Sequence, residues 1–390
     1  MRVLHVAALP FPSYQGTQAA IKHMLQTMSA SGHEVHVLCY PHSGYLEPFP
    51  FEIHRPDALM QDRSLRSGPS WRKITQDVRL VTKIRSLASR LKPDVLVAHH
   101  VEAAAATLAA GIRPIFVAHT QLQTELPFYV HEFWRPVAAG AGAFLEAFLI
   151  KQALACAAIS PGLAQSLQDR HGAPVFYLPI PWPVAEPLTQ KKRTQARERF
   201  GFDAHSKVLL YAGNLDSYQG WELLVPCLEI LRAKRQDVQL LVATESATDD
   251  LVRQALQHGV SKHLHVTHLQ GEAQRENVMA SADVVLVPRR LSAGLPVKLL
   301  DAMARSVPTV CAQTATAGLD LNTEIHIATL TPDSFAAAIQ GVLDDEAAAQ
   351  AMAARGRVYV ATLHSQAVFE EAFGRCCAHI GAKNADNFVI

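Results

Sequence analysis

The sequence predicts an α/β protein built from two Rossmann-like, doubly wound domains that face each other across a cleft. Apolar runs of strand length alternate with helix-length amphipathic stretches from Arg2 onward, the pattern of a parallel sheet covered on both faces. The tetrapeptide Ser-Tyr-Gln-Gly occurs twice, at 13–16 and 217–220, each copy between an apolar strand pattern and an amphipathic helix pattern, so two halves of the chain open alike. Between them, LPIPWPVAEP carries Pro179, Pro181, Pro183 and Pro187, which exclude regular helix and favour a stiff, extended link. The expected division is an N-terminal domain over 1–180, a linker over 181–188, a C-terminal domain over 189–362, and a terminal helix over 363–390 that crosses back to the first domain.

In the first half, VLHVAALP reads as the opening strand and TQAAIKHML as the helix after the glycine, with further strands at 34–39, 94–99 and 114–118. In the second half, strands are expected at 207–212, 238–243, 265–267, 284–287 and 309–311, each followed by a helix-length segment. The stretch 347–380 has helical spacing and no strand signal. A chain of 390 residues, about half of them apolar, is long enough for two cores.

Composition narrows the partners. Lys plus Arg, at 36, nearly equals Asp plus Glu, at 35, so no overall field favours nucleic acid. The six cysteines form no CxxC pair, the first residues lack a signal-peptide pattern, and the mild apolar stretch 137–150 is interrupted by Glu146 and too short to span a bilayer. A reduced, cytoplasmic setting is the expectation.

The chemistry concentrates at strand ends. A strand that turns through glycine into a helix leaves free amides at a positive dipole end, which suits a phosphate or sugar oxygen; Gly16 with Thr17, and Gly220, occupy such turns. The richest segment is VVLVPRRLSAGLPVKLLDAMARSVPTVCA at 284–312. Arg289 and Arg290 follow a buried strand, Gly294 and Pro296 shape a turn, and helical spacing begins at Val297. The helix N-terminus, Lys298 and the guanidinium groups would together hold a diphosphate, and Asp301 one turn on would accept from ribose hydroxyls. The plainer alternative is a solvated strand end beside a surface lysine.

This segment resembles the donor-binding run of retaining GT-B glycosyltransferases of the family 4 type, whose common form reads roughly E-G-F-G-L-P-x-x-E-A-M-A-x-G-x-P-V-V. GLPVKLLDAMARSVPTV follows it from Gly294 through Leu295, Pro296 and Val297, and Asp301 falls on the second acidic position, which in the family holds the ribose. The first acidic position, which there helps hold the transferred sugar, lands on Ala293. A subset with a Y-Q-G loop and a P-R pair is more similar still, and there the arginine corresponds to Arg289 rather than Arg290. Many members carry Arg and Lys where this chain has Asn214 and Gln219, so these amides would donate hydrogen bonds without adding charge. His119, at the end of PIFVAH with Thr120 and Glu125 beyond, matches a histidine beside the sugar, and the backbone near His268 and Leu269 matches a loop that meets the nucleobase.

The resemblance implies an acceptor-binding first domain and a nucleotide-sugar-binding second domain. It further implies transfer, with retention, from a UDP- or GDP-linked sugar to an acceptor hydroxyl on a lipid-linked, glycolipid or polysaccharide precursor, with no cofactor and no metal. His99 and His100 beside His119 suggest a metal cluster at first sight, but adjacent strand residues point to opposite faces, so one ion would not reach both. His263, His265 and His268 alternate like a polar strand edge. Residues 70–92 set apolar side chains on one helical face and basic ones elsewhere, which fits peripheral contact with the inner face of the cell membrane, or equally an ordinary sheet-covering helix. The opening strands lack GxGxxG, which argues against a dinucleotide-dependent oxidoreductase; a nucleotide-sugar-binding protein without turnover is the stronger rival.

Overall fold

The structure, a computed structural model, describes residues 1–13, 16–40, 48–56, 71–186, 188–269, 271–292, 294–316 and 318–386. The first sheet contains β1 (Arg2–Pro10), β2 (Glu34–Tyr40), β3 (Glu52–His54), β4 (Val95–His99), β5 (Ile115–Ala118), β6 (Ala155–Ala158) and β7 (Val175–Tyr177), in the order β3-β2-β1-β4-β5-β6-β7. The second contains β8 (Lys207–Ala212), β9 (Val238–Ala243), β10 (Leu264–Thr267), β11 (Val284–Val287), β12 (Thr309–Ala312) and β13 (His326–Ala328), in the order β10-β9-β8-β11-β12-β13. Both sheets are parallel, so helices must return the chain across their faces.

The strand order places the site. In each sheet the chain first winds to one side of its opening strand and then restarts on the other, between β1 and β4 and between β8 and β11. Loops leaving the carboxyl ends of such strands diverge and open a crevice. The loop after β1 leads to Gly16, and the loops after β8 and β11 carry Asn214 and Arg289.

Parallel central strands are buried on both faces and therefore read as apolar runs. Val3 packs into one core, and its neighbour Leu4 points into another beneath the helix Trp71–Leu91. That second core includes Leu80, Ile84 and Leu87, so the described part of this helix spends its apolar face on the sheet. The plainer reading of 70–92 therefore fits the packing, and a membrane contact there would rest on its basic side chains.

The domains are joined twice. The Trp182 N–H donates to the His364 carbonyl at 2.8 Å, and His364 Nδ1 lies 2.9 Å from the Ile180 carbonyl, so the linker and the return crossing run side by side. The stretch 347–380 resolves into two helices, Glu346–Leu363 and Gln366–Asp386, broken at His364. The second packs on β6 and β7 of the first domain, with the His379 ring edge-on to Phe176 and Gln366 donating to Ser31 Oγ at 3.1 Å.

Candidate active site

Close backbone approaches shape the cleft. Gly220 has φ +68°, and a Cβ there would lie 1.9 Å from the Pro288 carbonyl oxygen, so only glycine lets the turn Ser217–Gln219 lie against the end of β11. The Arg290 N–H then donates to the Tyr218 carbonyl at 2.8 Å. Gly294 has φ +74°, and a Cβ on it would lie 2.3 Å from the His119 carbonyl oxygen in the opposite domain. Gly220 was expected to let the backbone approach the donor; the side a Cβ would take is filled by the Pro288 carbonyl.

Lys298 projects from the first turn of the helix Val297–Ala304. Its ammonium donates to Gln219 Oε1 at 3.1 Å and stands 4.1 Å from the centre of the Tyr211 ring, a cation–π contact. Burial, and then the Arg289 charge, push its pKa down to about 7. No ion pair among the described residues engages it. Arg289 is 5 % exposed, which removes the solvated strand-end reading for this residue, and burial lowers its pKa. Its Nη1 donates to the Gly294 carbonyl at 3.4 Å, and its guanidinium carbon lies 5.9 Å from the Tyr218 ring centre. Arg290 is more open and pairs with Glu222 at 3.4 Å.

On the facing wall His119 is buried, with Nε2 3.0 Å from His99 Nδ1, while His99 Nε2 lies 3.0 Å from His5 Nδ1. The chain of rings follows the neighbouring strands β5, β4 and β1. His100 stacks on His119 with ring centres 4.5 Å apart. Burial, and then His100, hold the pKa of His119 well below its ordinary value, so the ring is neutral near pH 7. Its Nδ1 is buried without a hydrogen-bond partner. These histidines are linked in series rather than gathered around one point.

Beyond His119, Thr120 Oγ1 donates to Glu125 Oε2, and the Tyr129 hydroxyl donates to Glu125 Oε1 at 2.9 Å. Glu146 fixes this segment from below by accepting the Leu122 N–H at 2.5 Å and the Gln123 N–H at 3.4 Å; burial raises its pKa to about 7. Phe128 meets Tyr218 edge-on across the cleft, ring centres 6.3 Å apart. Gly16 and the half-buried Thr17 begin the helix Gly16–Ala30, where a Cβ on Gly16 would touch Val297 at 3.6 Å. Leu295 and Val297 are buried at the turn, and Pro296 caps the helix.

Other expected site residues stand differently. Asp301 is 3 % exposed and pairs with Arg275 Nη2 at 3.0 Å and Arg305 Nε at 3.1 Å. Burial alone would raise its pKa, but the two arginines overcome it and hold the carboxyl below its ordinary value. Any ribose hydroxyl must therefore share oxygens that already serve two cations. Asn214 Nδ2 donates to Asp216 Oδ2 at 2.8 Å, which organises the loop, and Asn214 Oδ1 is buried without a partner. His268 lies at the end of β10, two strands from β8, with Nδ1 2.8 Å from the Thr244 carbonyl, and Leu269 packs on the core. Ala293 lies outside the described residues, as do residues 14–15. Tyr211 and Tyr129, which no motif singled out, line the region with Tyr218 of the second Ser-Tyr-Gln-Gly turn.

Two Rossmann-like domains, each a parallel sheet with a switch point beside its opening strand, define the GT-B class of fold. Two family models tile the chain: Glycosyltransferase Family 4 matches residues 14–179, and Glycosyl transferases group 1 matches residues 192–359. The chain belongs to the group 1 glycosyltransferases. Solved structures agree in fold. Sucrose-phosphate synthase from Thermosynechococcus elongatus superposes with a TM-score of 0.81 at 14 % identity, over 98 % of this chain and 99 % of its own. WaaG, a glycosyltransferase involved in lipopolysaccharide biosynthesis, gives 0.72 at 16 % identity, over 95 % and 98 %. HepE of Anabaena, in complex with UDP and glucose, gives 0.73 at 13 % identity, over 97 % and 99 %. No curated protein matches the chain in sequence.

Proposed function

We propose that this glycosyltransferase moves a sugar from a UDP- or GDP-linked donor to an acceptor hydroxyl, with retention at the reacting carbon and without a metal or cofactor in the step. The observation that carries the reading is Lys298, a partly buried cation beside Arg289 whose contacts are a neutral amide and an aromatic ring. Holding cations together away from water is costly unless an anion completes the site. A diphosphate supplies that anion.

As the bond from the sugar's anomeric carbon to the diphosphate breaks, negative charge grows on the leaving group, and Lys298, Arg289 and the amides after Pro296 are placed to stabilise it. The neutral His119 ring stands on the opposite wall with a buried, unpartnered Nδ1 and would position the sugar from there. Asp301 holds the ribose through oxygens shared with its arginines, Gly16 and Thr17 cover the donor from the first domain, and His268 with Leu269 borders the base. Closure about the paired crossings at 180–182 and 364 would exclude water from the donor.

The acceptor belongs to the first domain, and we assign the membrane-facing surface to its helix Arg135–Gln152 and the turn before it rather than to 70–92. Phe133, Trp134, Val137, Phe144 and Phe148 are exposed there, while Gly142, Glu146, Leu149 and Ile150 of the same helix are buried. An amphipathic surface rich in aromatic side chains suits the bilayer interface. The rival, donor binding without turnover, is favoured by the missing charges at Asn214 and Gln219 and by the prior engagement of Asp301.

Incubating the purified chain with a panel of UDP- and GDP-sugars and a membrane extract separates the two. Release of nucleoside diphosphate that depends on the extract supports transfer; calorimetric binding without release supports the rival.

A further inference from the structure

We propose that His36, Glu52 and His54 form a binding site for a divalent transition metal, zinc by donor type, at the edge of the first sheet and apart from the cleft. In the parallel pairing of β2 with β3, His36 stands opposite Glu52 and Leu38 opposite His54. Glu52 and His54, two residues apart, share a face of β3, and His36 shares it on β2. Their ligand atoms converge: His36 Nδ1 is 3.1 Å from His54 Nε2 and 3.3 Å from Glu52 Oε2, and His54 Nε2 is 3.6 Å from the same oxygen. Zinc bonds of about 2.0–2.1 Å in tetrahedral array set neighbouring ligands about 3.4 Å apart. The three edges of this triangle bracket that spacing.

Protons explain the triangle less well than a cation does. Two neutral imidazoles and a carboxylate can satisfy at most two of the three edges with N–H bonds, and the third then sets like against like. A metal at the centre serves all three lone pairs. The tautomer is also supplied: His36 Nε2 lies 3.1 Å from Glu34 Oε1, and that oxygen lies 2.8 Å from Arg2 Nε. A proton on Nε2 donated to Glu34 leaves Nδ1 free to coordinate, the carboxylate–histidine arrangement that orients metal ligands.

His36 is buried and fixed, His54 is half-buried, and Glu52 is exposed, so the ion has a path in and a fourth position open to water. Two imidazoles and one carboxylate suit zinc and its transition-metal neighbours better than magnesium or calcium. Because β3 is a three-residue edge strand whose strand partner among the described residues is β2, the ion would clasp that edge to the sheet.

The test is zinc titration of the chelator-stripped full chain by calorimetry, alongside Glu52→Gln, His54→Gln and Glu34→Gln. Glu52 is exposed, so its substitution leaves folding intact, which circular dichroism checks. One zinc per chain is expected, weakened about 100-fold or more by either ligand variant and about 10-fold by Glu34→Gln. Zinc should also raise the thermal midpoint of the wild type and not that of Glu52→Gln. The proposal is overturned if the wild type takes up no zinc, or if Glu52→Gln and His54→Gln bind it as tightly as the wild type does.

Discussion

The helix Val297–Ala304 carries a charged residue on each of two successive turns, and the two have opposite surroundings. Asp301 sits among Arg275 and Arg305, and Glu272 continues the network to Arg305 at 3.6 Å and to Lys22 of the first domain at 3.6 Å. Lys298 meets Gln219 and Tyr211 and feels Arg289 beside it. Both are withdrawn from water, yet the arginines pull the pKa of Asp301 down while burial pulls Lys298 down to about 7. The first cluster pairs its carboxylates with cations from both domains and braces the domain junction. In the second, Lys298 meets no carboxylate among the described residues, and this is the feature that marks the ligand site.

Substitutions at the two turns should separate stability from binding. Lys298→Ala is expected to weaken UDP or GDP binding by about 100-fold or more, since one side of a buried charge contact is lost, while stability stays within about 1 kcal/mol of the wild type. Asp301→Asn is expected to do the reverse in emphasis, costing about 3 kcal/mol of unfolding free energy because Arg275 and Arg305 lose their nearest carboxylate and are left with Glu272 at 4.0 and 3.6 Å, with a smaller loss of nucleotide affinity. Calorimetry and denaturant titration on the same preparations would check both. Equal losses of affinity in the two variants would erase the distinction.

A pH series sharpens the contrast. The folded-state pKa of Lys298 is depressed, so its charge is present below about 7 and lost above it. Nucleotide affinity should therefore fall by up to about tenfold per unit as pH rises beyond that point, and Lys298→Gln should flatten the slope. The smallest effect is expected at the partly exposed Glu272, where Glu272→Gln should cost about 1 kcal/mol or less of stability and leave nucleotide binding unchanged.

How much of this was legible depended on how locally each feature was written. β8, β9 and β11 run over the same residues as their sequence patterns, because central parallel strands are buried on both sides and nothing interrupts the apolar run. β6 is spelled Ala-Cys-Ala-Ala, which carries little strand preference; it is a strand because β5 and β7 pair with it. β3, β7 and β13, three residues each, are too short for periodicity to register. Arg289 and Lys298 could be found because one motif holds both. The line from His5 through His99 to His119 could not, since only the strand order β1-β4-β5 makes those residues neighbours. The His36, Glu52 and His54 cluster likewise spans two strands and has no spacing signature. Asp301 matched its motif, and Arg305 stands within that motif, but Arg275, which shares the carboxylate, comes from a helix the motif does not reach.

The most direct test is a crystal structure of the chain with bound UDP or GDP. The account predicts diphosphate oxygens within hydrogen-bond reach of Lys298 Nζ and the Arg289 guanidinium, with Gln219 released from the lysine or turned to the ligand. A nucleotide whose phosphates lie elsewhere, with the contact between Lys298 and Gln219 intact, would contradict it.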